Sequence, residues 1–258
     1  MSKPPVTAAL LIIGNEILSG RTQDRNLAYL GRRLNELGVR LAETRVVPDE
    51  RETVVRQLNE LRGQHAYVFT TGGIGPTHDD ITAECVAEAV GRKLIEHSEA
   101  RAILEARYTP ENLTAARLRM ARTPEGADLI ENPVSKVPGF RIGNIYVMAG
   151  IPEVMQAMFE SIAHQIAGGE PLLTGTVVAQ LPEGVIAGPL GELQARFPDV
   201  EIGSYPFYGP SGYGASLVAR VADPARLEEI LDELRGMVRY LGAEPRDEPA
   251  GAGEAAKA

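Results

Sequence analysis

Ala66–Leu94, AYVFTTGGIGPTHDDITAECVAEAVGRKL, decides how the rest of the chain reads. It opens on a short apolar run, Ala66-Tyr67-Val68-Phe69, of a length and composition that suit a buried strand. The loop Thr70-Thr71-Gly72-Gly73-Ile74-Gly75-Pro76-Thr77-His78-Asp79-Asp80 follows, with three glycines and a proline ahead of two carboxylates. Ile81, Cys85, Val86, Ala89 and Val90 then recur at helical spacing, so the loop opens a helix. A strand, a glycine loop and a helix start together point backbone N–H groups and a positive helix end at an anion. Two aspartates there would repel a bare phosphate. A divalent cation between them resolves the conflict, because Mg²⁺ is commonly held by one or two carboxylates plus substrate phosphates. The stretch predicts a site for a small phosphate-bearing ligand, with Mg²⁺ as the expected cation. The structural alternative is a plain tight turn at Gly72-Gly73 and an N-cap at Asp79 or Asp80. A cap accounts for one aspartate and leaves the other without a structural task.

Upstream, the continuous apolar run Val6–Ile13 suits a strand covered on both faces and stops at Gly14-Asn15-Glu16. Leu27, Leu30, Leu34 and Leu37 mark a helix ended by Gly38. Val39–Val47 reads as a strand closed by Pro48-Asp49, and Val54, Val55, Leu58 and Leu61 mark a second helix. The order to residue 94 is β-α-β-α-β-α, which predicts a parallel sheet with right-handed crossovers and helices on both faces. Gly14-Asn15-Glu16, Pro48-Asp49 and Thr71–Asp80 all follow strand ends. In open α/β sheets ligands sit at the carboxyl ends of strands, so these three segments are expected to converge on one crevice.

Downstream, Ser98–Arg122 suggests two helices broken at Thr109-Pro110, and 127–132 a short strand. Phe140–Ile142 and Ile145–Met148 flank Gly143-Asn144, a two-residue hairpin turn. Pro152 suits a first helical position, followed by the core face Val154, Met155, Met158, Phe159, Ile162 and Ile166. Gly168-Gly169-Glu170-Pro171 reads as a linker. Beyond it, strand-like Gly175–Leu181, helix-like Pro189–Phe197, strand-like Val200–Tyr205 and Ala215–Val221, and the amphipathic helix Pro224–Leu241 make a small β-α-β-β-α layer pair. The expected fold class is α/β, a three-layer, mostly parallel sheet over residues 1–169, followed by a small two-layer α+β domain over 172–242. The tail 243–258, rich in Ala, Gly, Pro and charge, is expected to be disordered.

Net charge is −9 across 258 residues, which argues against nucleic acid or an anionic membrane as partner. A phosphate must then be held by local geometry and not by overall field. The single cysteine, Cys85, allows no disulfide framework and lies on the apolar face of its helix. With no signal segment and no run near the roughly 20 apolar residues of a membrane span, a cytoplasmic protein is expected.

At TTGGIGPTHDDIT the chain resembles the MoaB/Mog-type molybdopterin-binding fold, and more closely the N-terminal half of the competence/damage-inducible CinA proteins. The likeness extends through Gly14–Gly20, Asp24, Asn26, Val47-Pro48-Asp49, Pro124–Ala127, Asn132-Pro133 and Pro138–Phe140, with Ile202–Pro206 matching that family's small second domain. The resemblance implies that Asp49 and Asp80 are the functional acids. It also implies a ligand of molybdopterin type, or metal-dependent hydrolysis of a dinucleotide such as ADP-ribose or FAD. Met148-Ala149-Gly150-Ile151-Pro152 departs from the Leu-Pro-Gly-x-Pro wall common in the fold, and the deamidase domain of longer CinA proteins lies outside this chain. Relatives of the fold commonly self-associate, so a homo-oligomer is expected on the same ground.

Three readings follow. In the first, a metal-dependent pyrophosphatase, Thr71, Gly72, Gly73, Gly75, Asn26 and Lys136 bind the ligand, Asp79, Asp80 and Glu16 hold the metal, and Asp49 and Asp80 are catalytic. In the second, the same cradle carries molybdopterin. The third is a non-catalytic nucleotide sensor. His65, His78, His97 and His164 are scattered along the chain and suggest no metal site.

Overall fold

The apolar run becomes β1 (Val6–Ile13) in the computed structural model, which describes residues 5–209 and 212–248. The chain divides after Gly169 into two units. In the first, β1 is followed by α1 (Asn15–Leu18), α2 (Asn26–Glu36), β2 (Val39–Val47), α3 (Arg51–Gln64), β3 (Tyr67–Thr71) and α4 (Thr82–Ala89). Next come β4 (Leu94–Glu96), α5 (Ser98–Arg107), α6 (Ala115–Leu118) and β5 (Arg122–Pro124). The unit closes with β6 (Asp128–Ile130), β7 (Gly139–Ile142), β8 (Ile145–Met148) and α7 (Pro152–Ile162).

Its main sheet has the order β2-β1-β3-β8-β7-β6. The first four strands are parallel, β7 is antiparallel to β8 through the Gly143-Asn144 hairpin, and β6 is antiparallel to β7. Leu10, Ile12, Phe69 and Met148 pack on one face against Leu30 and Leu34 of α2 and Met155, Met158 and Phe159 of α7. Leu11, Ile13, Val68 and Val147 pack on the other face against Val54, Leu58 and Leu61 of α3 and Cys85 and Val86 of α4. Two covered faces explain why β1 is apolar and buried from Ala8 to Ile13. Each fully buried Leu, Ile or Phe contributes about 1.5–3 kcal/mol. Burial pushes the Cys85 thiol up to about 12, so it is a core residue with no thiolate to offer near neutrality.

Two local expectations change. The segment after α4 holds more than helices, since β4 and β5 pair antiparallel on either side of α5 and α6. Gly168 and Gly169 are packed and do not form a free linker. Gly169 N–H donates to Gly38 O at 2.8 Å, and a Cβ on Gly168 would stand 1.9 Å from Leu37 O. Two backbones touch there, which any larger residue would prevent.

The second unit contains β9 (Leu173–Ala179), α8 (Glu183–Arg196), β10 (Glu201–Gly209), β11 (Gly212–Val221), α9 (Pro224–Tyr240) and β12 (Arg246–Glu248). Its sheet is antiparallel, in the order β10-β11-β9-β12. Val177, Ala179, Leu217 and Ala219 meet Ile186 and Leu193 of α8 and Ile230 and Leu234 of α9. Pro189 lies inside α8 and not at its start. One intrahelical bond is lost at Pro189, yet the helix continues because Ile186 and Leu193 on either side are anchored in the core.

The expected disordered tail also needs correcting for residues 246–248. They pair with β9, and Arg235 Nε donates to Asp247 at 3.0 Å. An edge strand held by backbone bonds and one ion pair leaves no apolar pattern to read. Ala243 N–H likewise donates to Val238 O at 3.2 Å, and the part of that expectation covering 249–258 lies outside the described residues. Among the described residues no helix is long and apolar enough to cross a membrane.

Candidate functional site

β1, β2, β3 and β8 all end at one edge of the sheet, so Gly14–Glu16, Pro48-Asp49, Thr71–Asp80 and Ala149-Gly150 emerge there together. Because β7 is antiparallel to β8, the 131–138 segment that leads into it returns to the same edge. Thr71 ends β3 and Asp49 stands two residues beyond β2, and these two strands flank β1 about 10 Å apart, two strand spacings. That separation suits a ligand with the length of a nucleotide diphosphate and exceeds the reach of a single ion.

The glycine loop is a backbone device. Gly72 and Gly73 have φ of +100° and +65°, which side-chain-bearing residues rarely adopt. A Cβ on Gly72 would stand 2.1 Å from Ile13 O, and one on Gly73 2.3 Å from Thr82 Oγ1. Thr82, opening α4, locks this bend. Its hydroxyl donates to Gly72 O at 2.9 Å and its N–H to Gly73 O at 3.0 Å. The N–H groups of Gly73 and Ile74 have no hydrogen-bond partner among the described residues. Successive amides turned in this way form a concavity that favours an anion. Thr70 Oγ1 and Thr71 Oγ1, both buried, are also without a partner.

Asp80 faces into the loop. Its Oδ1 accepts from Gly75 N–H at 2.7 Å, and its Oδ2 accepts from Thr77 N–H at 2.7 Å and from the Thr77 hydroxyl. From outside, Arg119 donates to Thr77 O at 2.9 Å and to Asp80 O at 3.2 Å. Glu84 stands 3.7 Å from Arg119 and 3.9 Å from Arg122. A cavity of 20 Å³, room for about one water, is lined by Gly73–Gly75, Asp80 and these two arginines among others. Sequence reasoning missed both arginines. They lie about forty positions from the loop, in a segment legible only as helix, and no local pattern announces them.

The remaining expected residues are distributed as follows. Asp49 Oδ2 accepts from Asn15 N–H at 2.9 Å, and a Cβ on Gly14 would stand 2.5 Å from both carboxylate oxygens of Glu16. Asp49 and Glu16 therefore meet at the turn after β1. Asn26, 3% exposed, donates from Nδ2 to Gly150 O at 2.8 Å. Gly150 in turn packs on Gly72, since its Cβ would stand 3.3 Å from Gly72 Cα. Asn26 thus reaches the glycine loop through Gly150, and its Oδ1 is buried without a partner. Asp79 is exposed, and the Thr77 hydroxyl and its own backbone N–H hold its carboxyl below the usual range.

Lys136 is exposed and has φ +63°. Buried Asn132 builds the turn that carries it. The Asn132 Oδ1 accepts from Val134 and Ser135 N–H at 3.1 and 3.0 Å, and its Nδ2 donates to Val137 O at 2.8 Å. A left-handed lysine is strained, and Lys136→Gly is expected to raise unfolding free energy by about 0.5–1 kcal/mol. Urea denaturation reads the effect, and a less stable variant would contradict the strain.

Among the described residues no three His, Cys, Asp or Glu side chains form a group that would hold a metal ion. Glu16, Asp79 and Asp80 are therefore not a ready-made cage. Asp80 is turned inward by Gly75 and Thr77, and Glu16 is folded back over Gly14. The donor set fits only an ion that arrives with a ligand's phosphates.

Residues 9–169 match the family described as "Probable molybdopterin binding domain", and residues 171–243 match "FAD synthase, middle domain". A protein of Aeropyrum pernix is 34% identical, covering 93% of this chain and 97% of its own length. A CinA-like protein of Geobacter sp. (strain M21) is 33% identical over 93% of this chain, and the match spans 60% of that longer relative. The crystal structure of CinA from Thermoplasma acidophilum aligns with a TM-score of 0.59 and 32% identity, covering 62% of this chain and 99% of that one.

Proposed function

The chain belongs to the molybdopterin-binding domain family as a CinA-like protein of MoaB/Mog type, and on that premise we propose that its glycine loop binds a phosphate-bearing nucleotide and supports metal-dependent hydrolysis of a dinucleotide pyrophosphate of ADP-ribose type. The observation that carries this reading is the pair of unspent N–H groups at Gly73 and Ile74 beside the acid-bearing ends of β1 and β2. These amides take one phosphate oxygen, and the Thr71 hydroxyl beside them supplies a further donor. Asp49 and Glu16, on the far side of β1, stand where the second phosphoryl group of an extended ligand falls. Asp49, oriented by the Asn15 N–H, orients and deprotonates the attacking water. Lys136 and Arg122 offset the ligand's charge in a chain that is acidic overall. A divalent ion, when bound with the ligand by Glu16 and Asp79, supplies Lewis-acid polarisation of a phosphoryl oxygen.

The test is AMP release from ADP-ribose and from FAD by the purified chain with Mg²⁺, Mn²⁺ or Co²⁺. Turnover that disappears in Asp49→Ala supports the reading. The family match also favours a second reading, in which the cradle holds the terminal phosphate of a pterin. Absent turnover with tight pterin binding would establish that one instead. Nucleotide binding without turnover would leave a sensor.

A further inference from the structure

Gly72 N–H of the loop that presents Gly73 and Ile74 donates to Met148 O at 3.3 Å, and among the described residues the Thr77–Asp80 turn beyond it has one side-chain anchor from outside its own neighbourhood. Arg119 belongs to the 3-10 turn Arg119–Ala121, 39 residues beyond Asp80. One of its terminal nitrogens donates to Thr77 O and the other to Asp80 O, so a single planar group spans the turn. Its base is firm. Ala121 is fully buried in a cluster with Ala100 and Leu104, and its carbonyl accepts from His97 N–H at 2.8 Å. Asp80 ties the loop's N–H groups from within while Arg119 ties its carbonyls from without.

We propose that Arg119 is a positioning residue of the anion site, fixing the Thr77–Asp80 turn and through it the direction of the Gly73 and Ile74 N–H groups. The inference rests on reading the loop as an anion cradle. Arg119 does not act chiefly as a positive charge for the ligand. Both terminal nitrogens already donate to carbonyls, and Glu84 at 3.7 Å offsets the charge. A fork serving two carbonyls is a geometric role, which a lysine ammonium reproduces poorly while keeping the charge.

Arg119→Ala and Arg119→Lys in the full chain separate these roles. Amide hydrogen exchange over residues 73–80 is read without ligand, and ADP-ribose affinity is read by calorimetry with Mg²⁺. Both variants are expected to exchange faster in the loop, with β1 and β3 unchanged. Both are also expected to bind about tenfold more weakly, the equivalent of one lost charge-assisted hydrogen bond. Affinity restored by lysine would overturn the positioning role in favour of simple charge. Unaltered loop exchange in Arg119→Ala would overturn it too, as would faster exchange with unaltered affinity. A wild-type chain that binds none of ADP-ribose, AMP and inorganic phosphate would remove the cradle reading and the inference together. Wild-type binding with an indifferent Arg119→Ala removes the inference alone.

Discussion

Gly72→Ala is expected to cost the first unit about 3 kcal/mol or more of unfolding free energy, with loss of ligand binding. The new methyl meets two obstacles at once. It would stand 2.1 Å from the Ile13 carbonyl oxygen, and it must adopt φ +100°. The oxygen belongs to the backbone of β1, which cannot give way without breaking its pairing with β2. Gly91→Ala is the control, since Gly91 has φ +65° but nothing within 4 Å of a built Cβ. It should cost only the left-handed strain, about 1 kcal/mol. Urea denaturation of both variants isolates the carbonyl clash as the difference. Equal costs would mean that the loop can shift away from β1, and the tight fit described above would be wrong.

Asp80→Ala should lower both ADP-ribose affinity and AMP release by at least about a hundredfold, with a smaller effect on stability of about 1–2 kcal/mol. The carboxylate accepts from Gly75 N–H, Thr77 N–H and the Thr77 hydroxyl. Its loss frees the loop from the inside, and water can satisfy those exposed donors only in part of the ensemble. Two roles for Asp80 predict that loss, and they part on metal dependence. If Asp80 works as a clasp, the deficit is independent of Mg²⁺ concentration, and loop amides exchange faster with no metal present. If it is chiefly a metal ligand, raising Mg²⁺ restores turnover. Activity within twofold of the unmodified chain would eliminate both.

Asp80 therefore has a structural task that the sequence could only weigh in general terms. The expected helix cap at Asp79 or Asp80 is not formed: the N-cap of α4 is Ile81 with no side-chain cap bond, and the Asp80 carboxylate is spent on Gly75 and Thr77 of the loop instead. Asp79, its neighbour, is exposed at the turn, with His78 Nδ1 at 3.9 Å. The acid pair therefore splits into an inward-facing residue and an outward-facing one. Two adjacent residues point apart here because the carboxylate of only one can reach back to the loop amides.

By itself the sequence determined the parallel core of the first unit. Val6–Ile13 and the run ending at Phe69 declare themselves because burial on both faces demands apolar side chains at successive positions, while Val39–Val47, at the sheet edge, is marked by its bounding Gly38 and Pro48-Asp49. It also determined that the glycine loop follows a strand and opens a helix, since Gly72 and Gly73 answer a backbone requirement visible in one dimension. Only the tertiary structure decided that Gly168 is pressed against Leu37, that Arg119 spans the loop, and that 246–248 forms an edge strand. Those features depend on hydrogen bonds and close approaches between segments far apart in the chain. Such contacts require only one suitable group in one place, and they leave no periodicity behind.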